Sequence, residues 1–404
     1  MPTHPSDPSS TASSTSRANL NPLVESPVNR TRIAELESVR GIAALLIVMF
    51  HAPGWNTGKE HIGIFQNAYL MVDLFFVISG FVIYKAYANH LHSWSAVWRF
   101  QFLRLGRLYP VHLFFLIFFL VTLAIPWPEM KVAFIEQLFL VQALGPTGNA
   151  ASFNYPAWSI SVEFYTYFLF ALIAWLAGGG SKSEGTVSQG SLPKRGYLQL
   201  IIYSVIAFGA WYSLFENELY GFRDLLRCLA GFFIGCLCAA LAATVRWRWP
   251  NYLAPLCFIA IGLFLEFKHN KNLSYDPAIF ILTALLILSL VFSTGGWFKK
   301  LLHTRPLLWL GEISYSLYMA QLACIFICEG VLRGLYKRFA LFGQIEDLLG
   351  IHLAYPVTMA DGLIKYGFFF VVLLTVTSLS YYLIERPCRE ASRRQIHRPK
   401  LIAP

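Results

Sequence analysis

The sequence predicts an all-α, polytopic integral membrane protein of about ten transmembrane helices with both termini cytoplasmic. Three observations carry this. Of the 404 residues, 56% are hydrophobic and only 13% are charged, whereas soluble domains carry roughly 25% charged residues. Apolar runs of about twenty residues, the length that crosses a hydrocarbon layer, recur along the chain. The net charge of +10 is scattered singly between those runs. That scatter excludes the clustered basic groove of a nucleic-acid binder and fits membrane topology.

Residues 1–33, rich in Ser, Thr, Pro and Asn and without an apolar stretch, read as a disordered polar tail and not as a cleaved signal peptide. The membrane domain covers 34–390 and a basic cytoplasmic tail covers 391–404. Spans are expected near 36–52, 69–88, 106–125, 158–177 and 197–214, then near 225–243, 252–267, 276–293, 311–332 and 363–384. The stretch 131–145 is apolar but short, and Glu136 and Gln137 interrupt it. It reads as an interfacial or re-entrant helix; a spanning helix there, the alternative, would invert everything after it. Residues 178–196, with Gly, Ser and Lys, read as a flexible cytoplasmic linker inside one domain. With the N-terminus inside, roughly two thirds of the 32 Lys and Arg lie on the cytoplasmic side, which supports an even number of spans. The loop 333–362, with Arg333, Lys337 and Arg338, carries most of the outer positive charge; it fits equally an acidic glycan or the membrane interface.

The seven cysteines are odd in number and lie mostly in apolar runs, which argues against a disulfide framework. Cys324 and Cys328 share a helical face, but no His or carboxylate motif completes a ligand set, so they read as packing residues and no metal site is expected.

Each ionisable group inside the membrane costs roughly 2.5–3.5 kcal/mol and needs a reason. The candidates are His51, Asp73, Glu163, Arg227, Glu266, Glu312, Glu329 and Glu385. Topology puts His51 at the outer end of the first span, Asp73 at the outer start of the second and Glu163 near the outer start of the fourth. A His with a carboxylate is the minimal equipment for general-base chemistry, because the carboxylate fixes the tautomer and supports the imidazolium. The plainer reading makes His51 an interfacial residue and Asp73 a helix cap.

At the inner face, Arg104 and Arg107 are three apart and point the same way on a helix. They suit a phosphate grip, and they also suit ordinary positive-inside anchoring. Arg40 opens the first span and His51 closes it, about 16 Å away along the axis. A long, thin donor with phosphates at one end and its reactive atom at the other fits that separation, and coenzyme A thioesters have this shape.

Six motifs then resemble, in order, those of the membrane-bound acyltransferase 3 family of bacterial O-acyltransferases. Leu36 to Ala44 looks like the family's start, and Arg40 with His51 matches its basic residue, ten-residue gap, His pattern. Val72 to Phe81, Arg104 to Pro110, Trp158 to Glu163, Gly311 to Tyr318 and Ile384 to Pro387 resemble later signatures. The resemblance runs from about residue 34 to 390. It implies ten helices and transfer of an acyl group, often acetyl, to a sugar hydroxyl. On this reading acyl-CoA is the donor substrate, nothing is a tightly bound cofactor, and the membrane is the bacterial cytoplasmic (inner) membrane.

The expected site therefore has His51, Asp73 and Glu163 as catalytic residues. Arg40, Arg104, Arg107, Trp158 and Ser161 are the expected substrate-binding residues, with Ser161 or Trp158 shaping the pocket or donating to an oxyanion. Ser79 and Gly80 read as helix-packing positions. Two departures stand out. The late signature often ends in His where this chain has Gln321, which cannot accept a proton at neutral pH. Only a basic tail of about twenty residues follows the last span, with no hydrolase-like domain. The competing class is a transporter or flippase for a glycan or small molecule, which ten spans with buried charges also fit.

Overall fold

The computed structural model of the chain describes residues 33–123, 127–146, 148–178, 194–216, 222–268, 276–339, 344–348, 351–355 and 358–397. The expected N-terminal tail, apart from its last residue, and most of the 178–196 linker lie outside the described residues.

The chain winds through α1 (Ala34–His51), the single turn α2 (Gly63–Gln66), α3 (Met71–Tyr87), α4 (Trp94–Thr122) and α5 (Trp127–Phe139). It continues through α6 (Trp158–Gly178), α7 (Lys194–Glu216), α8 (Arg223–Thr244), α9 (Leu253–Phe267) and α10 (Ala278–Phe292). The short α11 (Trp297–Leu302) and α12 (Arg305–Glu312) precede α13 (Ser314–Phe339), α14 (Met359–Ser380) and α15 (Arg386–His397). Between α13 and α14, strands β1 (Gln344–Leu348) and β2 (Ile351–Tyr355) pair antiparallel. The expected 333–362 loop thus begins as helix and contains a hairpin; the side chains from Tyr336 to Tyr355 lie outside the described residues.

Each expected span coincides with one helix: α1, α3, α4, α6, α7, α8, α9, α10, α13 or α14. Seven of these are long and apolar enough to cross a membrane. The other three fall short for visible reasons. Helices α9 and α10 have 15 residues each. Helix α1 has 18 and carries Glu35, Glu37 and Arg40. The start of α9 meets the end of α10 through Trp249 N–H to Phe292 O (3.2 Å) and Gly295 N–H to Asn251 Oδ1 (3.2 Å), so the two form an antiparallel pair. Exposed apolar stripes run down α7 (Ile201, Val205, Phe208, Tyr212, Phe215) and α9 (Leu256, Ile259, Leu263, Phe267). Spacings of three to four residues put each set on one helix face, where lipid and not water is the compatible neighbour. The chain is an integral, multi-pass membrane protein.

Helix α5 covers 13 residues, about 20 Å, and is too short to cross a hydrocarbon core of about 30 Å. The two polar residues that interrupt its apolar run are its anchors. Glu136 Oε2 accepts from Asn149 N and Nδ2, both 2.8 Å. Gln137 Nε2 donates to Ser152 O at 3.0 Å.

The tightest helix crossing joins α3 and α8. A Cβ on Gly80 would lie 1.8 Å from Phe232 O, and one on Gly235 would lie 2.0 Å from Val77 O. Only glycine lets the two backbones approach this closely. The packing role expected of Gly80 is what the structure shows. All seven cysteines are free thiols, and Cys324 and Cys328 are buried.

Helix α14 does not end where the apolar run does. It passes through a π-helical turn, Tyr381–Glu385, into α15. Pro387 explains the turn: it has no N–H to give, and its ring collides with the carbonyl four residues back, so the ladder opens locally. Residues from 391, expected as a tail, are therefore helical as far as His397.

Candidate active site

Helix α1 runs unbroken between two faces of the bundle and carries a candidate group at each end. At one face, His51 lines a cavity of ≈ 230 Å³ together with Tyr69, Val72, Tyr155, Trp158, Asp224, Arg227 and Tyr318. Val72 and Tyr318 also line a second, smaller cavity, which reaches Arg40, Ser79, Ser159, Glu163 and Tyr315. Arg40, Ser79, Glu163 and Tyr315 in turn line a third, with Arg104, Arg107 and Tyr167. Three separate cavities that share lining residues thus lie between His51 and the arginines.

The imidazole is held at one nitrogen. His51 Nδ1 lies 3.0 Å from Ile47 O and 3.2 Å from Gln321 Oε1. The Gln321 amide is oriented by its own Nε2 donating to Tyr318 O at 2.9 Å. Both neighbours of Nδ1 are acceptors, so Nδ1 carries the proton and Nε2 carries the lone pair. Nε2 is buried and has no hydrogen-bond partner among the described residues. A buried basic nitrogen of fixed tautomer beside a cavity is what proton abstraction needs. Lys59 closes the same helix end: its ammonium donates to Met49 O (2.5 Å) and to Ala52 O, where the helix dipole is negative. Burial pushes this lysine below its usual range.

The two carboxylates expected beside His51 are elsewhere. Asp73 is fully buried and forms a bidentate pair with Arg227, Nε to Oδ1 at 2.9 Å and NH2 to Oδ2 at 3.0 Å. Arg227 also lies 4.8 Å over the Trp158 ring. A guanidinium in the bundle core binds the nearest carboxylate with both arms, and Asp73 faces it across the tight α3–α8 crossing. Glu163 lies five residues past Trp158 on α6, about 7.5 Å deeper and turned about 140° around the helix. It accepts from Ser79 Oγ at 2.6 Å and from Tyr167 OH, facing Arg40, Arg104 and Arg107.

The arginines do converge. Arg104 is buried, donates to Tyr87 OH at 3.2 Å and lies over the rings of Tyr87, Phe100 and Tyr167. Its Nε has no hydrogen-bond partner among the described residues. Arg40 sits 5.9 Å over Phe75. Ser161, expected to face the pocket, instead donates to Leu140 O at 2.6 Å and accepts from Ala143 N–H, pinning α6 to the segment after α5. Ser159 takes its place on the cavity wall, 3.0 Å from Tyr318 OH. Ser79 is also more than packing, since it contacts Glu163. The residues missed in the sequence are thus Gln321, Lys59, Asp224, Ser159, Tyr315 and Tyr318. The only sequence signal for Gln321 was its place at the end of the late signature.

Residues 33–385 match a family model described as an acyltransferase domain. Acyltransferase MdmB of Streptomyces mycarofaciens is 23% identical over 333 residues, covering 74% of this chain and 80% of that protein. O-acetyltransferase OatA of Staphylococcus aureus is 25% identical over 322 residues, covering 70% of this chain but 49% of OatA. Protein 2 in picA locus of Rhizobium radiobacter is 34% identical over 161 residues, covering 35% of this chain and 81% of that protein. No solved structure matches.

Proposed function

This chain belongs to the acyltransferase family whose domain covers residues 33–385, and from that premise we propose that it moves an acetyl-class acyl group from cytoplasmic acyl-CoA to a carbohydrate hydroxyl. The observation that carries the reading is the layout of α1. His51, with a free Nε2, stands at one end, and Arg40 stands at the other beside Arg104 and Arg107.

In this reading the donor's phosphates meet the arginines from the cytoplasmic side, and the pantetheine arm lies along the shared cavities. The acceptor occupies the ≈ 230 Å³ cavity. His51 Nε2 takes the proton of the acceptor hydroxyl as its oxygen attacks the thioester carbonyl. The C–S bond breaks, and the proton passes from Nε2 to the departing thiolate. Ser159 donates to Tyr318 OH at 3.0 Å and Tyr318 donates to Pro156 O at 2.8 Å, so the two hydroxyls shape the passage between the cavities. Tyr155, Tyr69, Asp224 and Arg223 around the large cavity offer the ring faces and hydrogen-bonding groups that suit a polyhydroxylated acceptor. That chemistry supports a cell-surface or exported glycan as acceptor, and the O-acetyltransferase relative supports an acetyl group as cargo. The bacterial cytoplasmic membrane is the corresponding location.

The test is transfer of label from acetyl-CoA to a mixed glycan extract by the purified protein in detergent. Label should appear with the wild type and not with folded His51→Ala. An active His51→Ala variant would remove His51 from the chemistry. A folded wild type that moves no short acyl group to any glycan would overturn the donor and acceptor assignment.

A further inference from the structure

We propose that α15 forms a third wall of the donor's phosphate site, with Arg389 and Arg393 binding phosphate groups alongside Arg104 and Arg107. This rests on the acyl-CoA reading and extends it to a helix outside the matched domain.

The placement of α15 follows from the chain. The π-helical turn before it puts Glu385 at 1% exposure, where its Oε2 accepts from Ser316 Oγ at 2.7 Å. Glu385 Oε1 lies 3.8 Å from Arg389 NH1, and the same carboxylate is within electrostatic range of Arg107 and Arg40. Glu385 thus joins α15 electrostatically to the arginines of α1 and α4. One turn on, Ser392 packs where α4 has no side chain. A Cβ on Gly106 would lie 2.5 Å from Ser392 Cβ, so this glycine, between Arg104 and Arg107, is what lets α15 lie directly on that turn.

Arg389 and Arg393 flank Ser392. Arg389 rests against Tyr381, NH2 to OH at 3.4 Å, with its Nε unpartnered. Arg393, the exposed residue after Ser392, lies within electrostatic range of Arg389, Arg104 and Arg107. Five guanidiniums, from Arg40, Arg104, Arg107, Arg389 and Arg393, therefore gather around three carboxylates, Glu37, Glu163 and Glu385. Five guanidiniums against three carboxylates leave an excess of positive charge that favours a further anion. A phosphate dianion or pyrophosphate meets that need through paired N–H donors. The same chemistry could come from a lipid headgroup, because α15 leaves the membrane domain where anionic headgroups lie. Arg394 is a natural control: it is 80% exposed and ion-paired with Glu390.

The experiment measures KM for acetyl-CoA and for acetyl-3′-dephospho-CoA in neutral detergent, with and without added phosphatidylglycerol, for wild type, Arg389→Gln, Arg393→Gln and Arg394→Gln. The expected result is a rise in acetyl-CoA KM of about tenfold for Arg389→Gln and Arg393→Gln, with kcat kept and no dependence on the lipid. Arg394→Gln should match the wild type. Partial recovery in Arg389→Lys and Arg393→Lys, with unchanged melting in detergent, separates binding from folding. An unchanged KM in both Gln variants, while Arg104→Gln weakens binding, overturns the role of α15 and leaves the donor reading standing. Loss that appears only with phosphatidylglycerol overturns it in favour of a lipid site. A wild type that binds no acetyl-CoA overturns the donor reading itself.

Discussion

Gln321 Oε1 and His51 Nδ1 lie 3.2 Å apart although 270 positions separate them in sequence. The position where this chain departs from the late signature is thus the one that grips the candidate base. An amide can accept from Nδ1–H without itself titrating, so it sets the tautomer and the ring plane while adding no charge. Gln321→Ala should leave donor KM unchanged and lower kcat by about a hundredfold, the scale of a small misplacement of a reacting group. Steady-state kinetics on the two variants Gln321→Ala and Gln321→Asn check this; equal kcat in all three proteins would refute it.

The Asp73–Arg227 pair answers to stability. Removing one partner alone strands a buried charge, and Asp73→Asn or Arg227→Met should cost about 3–5 kcal/mol in unfolding free energy. The double replacement Asp73→Leu with Arg227→Leu should recover most of that loss, because neither charge is then left bare. Unfolding in detergent gives the comparison. Full stability in the single Asp73→Asn variant would contradict the structural assignment.

A second buried pair lies beyond His51. Lys365 Nζ is 2.8 Å from Glu329 Oε1, Trp55 Nε1 donates to the same oxygen at 2.9 Å, and the ammonium lies 4.8 Å over the Trp55 ring. This group ties the turn after α1 to α13 and α14. Glu329→Gln keeps the indole hydrogen bond and loses the ion pair, so it should lower kcat less than Glu329→Ala does. Faster amide exchange at residues 52–57 should accompany the Ala variant. Identical exchange in the two would count against the tie.

Lys59 makes a pH prediction. Burial lowers its folded pKa from 10.5, so the unfolded chain binds the extra proton between the folded value and 10.5. Stability then rises with pH through that window relative to a variant lacking the group, and the contribution is lost as pH falls through the folded pKa. Melting curves of wild type and Lys59→Met should separate in that sense on the alkaline side. Parallel curves would mean that Lys59 titrates as it does in the unfolded chain.

These cases also show what was legible beforehand. The ten helical segments were readable as apolar runs, and the seven that are long and apolar enough to cross a membrane were the plainest, because length and apolarity are properties of a single segment. The grouping of Arg40, Arg104 and Arg107 was readable because topology fixes depth. Depth did not fix which way a side chain points. Asp73 starts α3 near His51 in height, yet rotation about α3 turns it to Arg227; Glu163 lies more than a turn further into α6, where it meets Ser79 and Tyr167. Arg227 was recognised as an expensive buried group, but its partner lies 154 positions away and no local pattern joins them. The continuation of the last span into α15 was hidden by its charge, which reads as a solvated tail until Gly106 supplies a place for Ser392.

Because Arg40 and His51 ride on one continuous 18-residue rod, the spacing between grip and base is a gauge set by backbone pitch, which side-chain motion cannot stretch. A donor clamped by its phosphates therefore presents its carbonyl at one fixed height, whatever acyl tail it carries. Each methylene added to that tail projects past His51 into the ≈ 230 Å³ chamber that the acceptor must also occupy. Under the proposed donor reading, a preference for short acyl groups would need no dedicated selectivity residue: donor tail and acceptor would compete for one room.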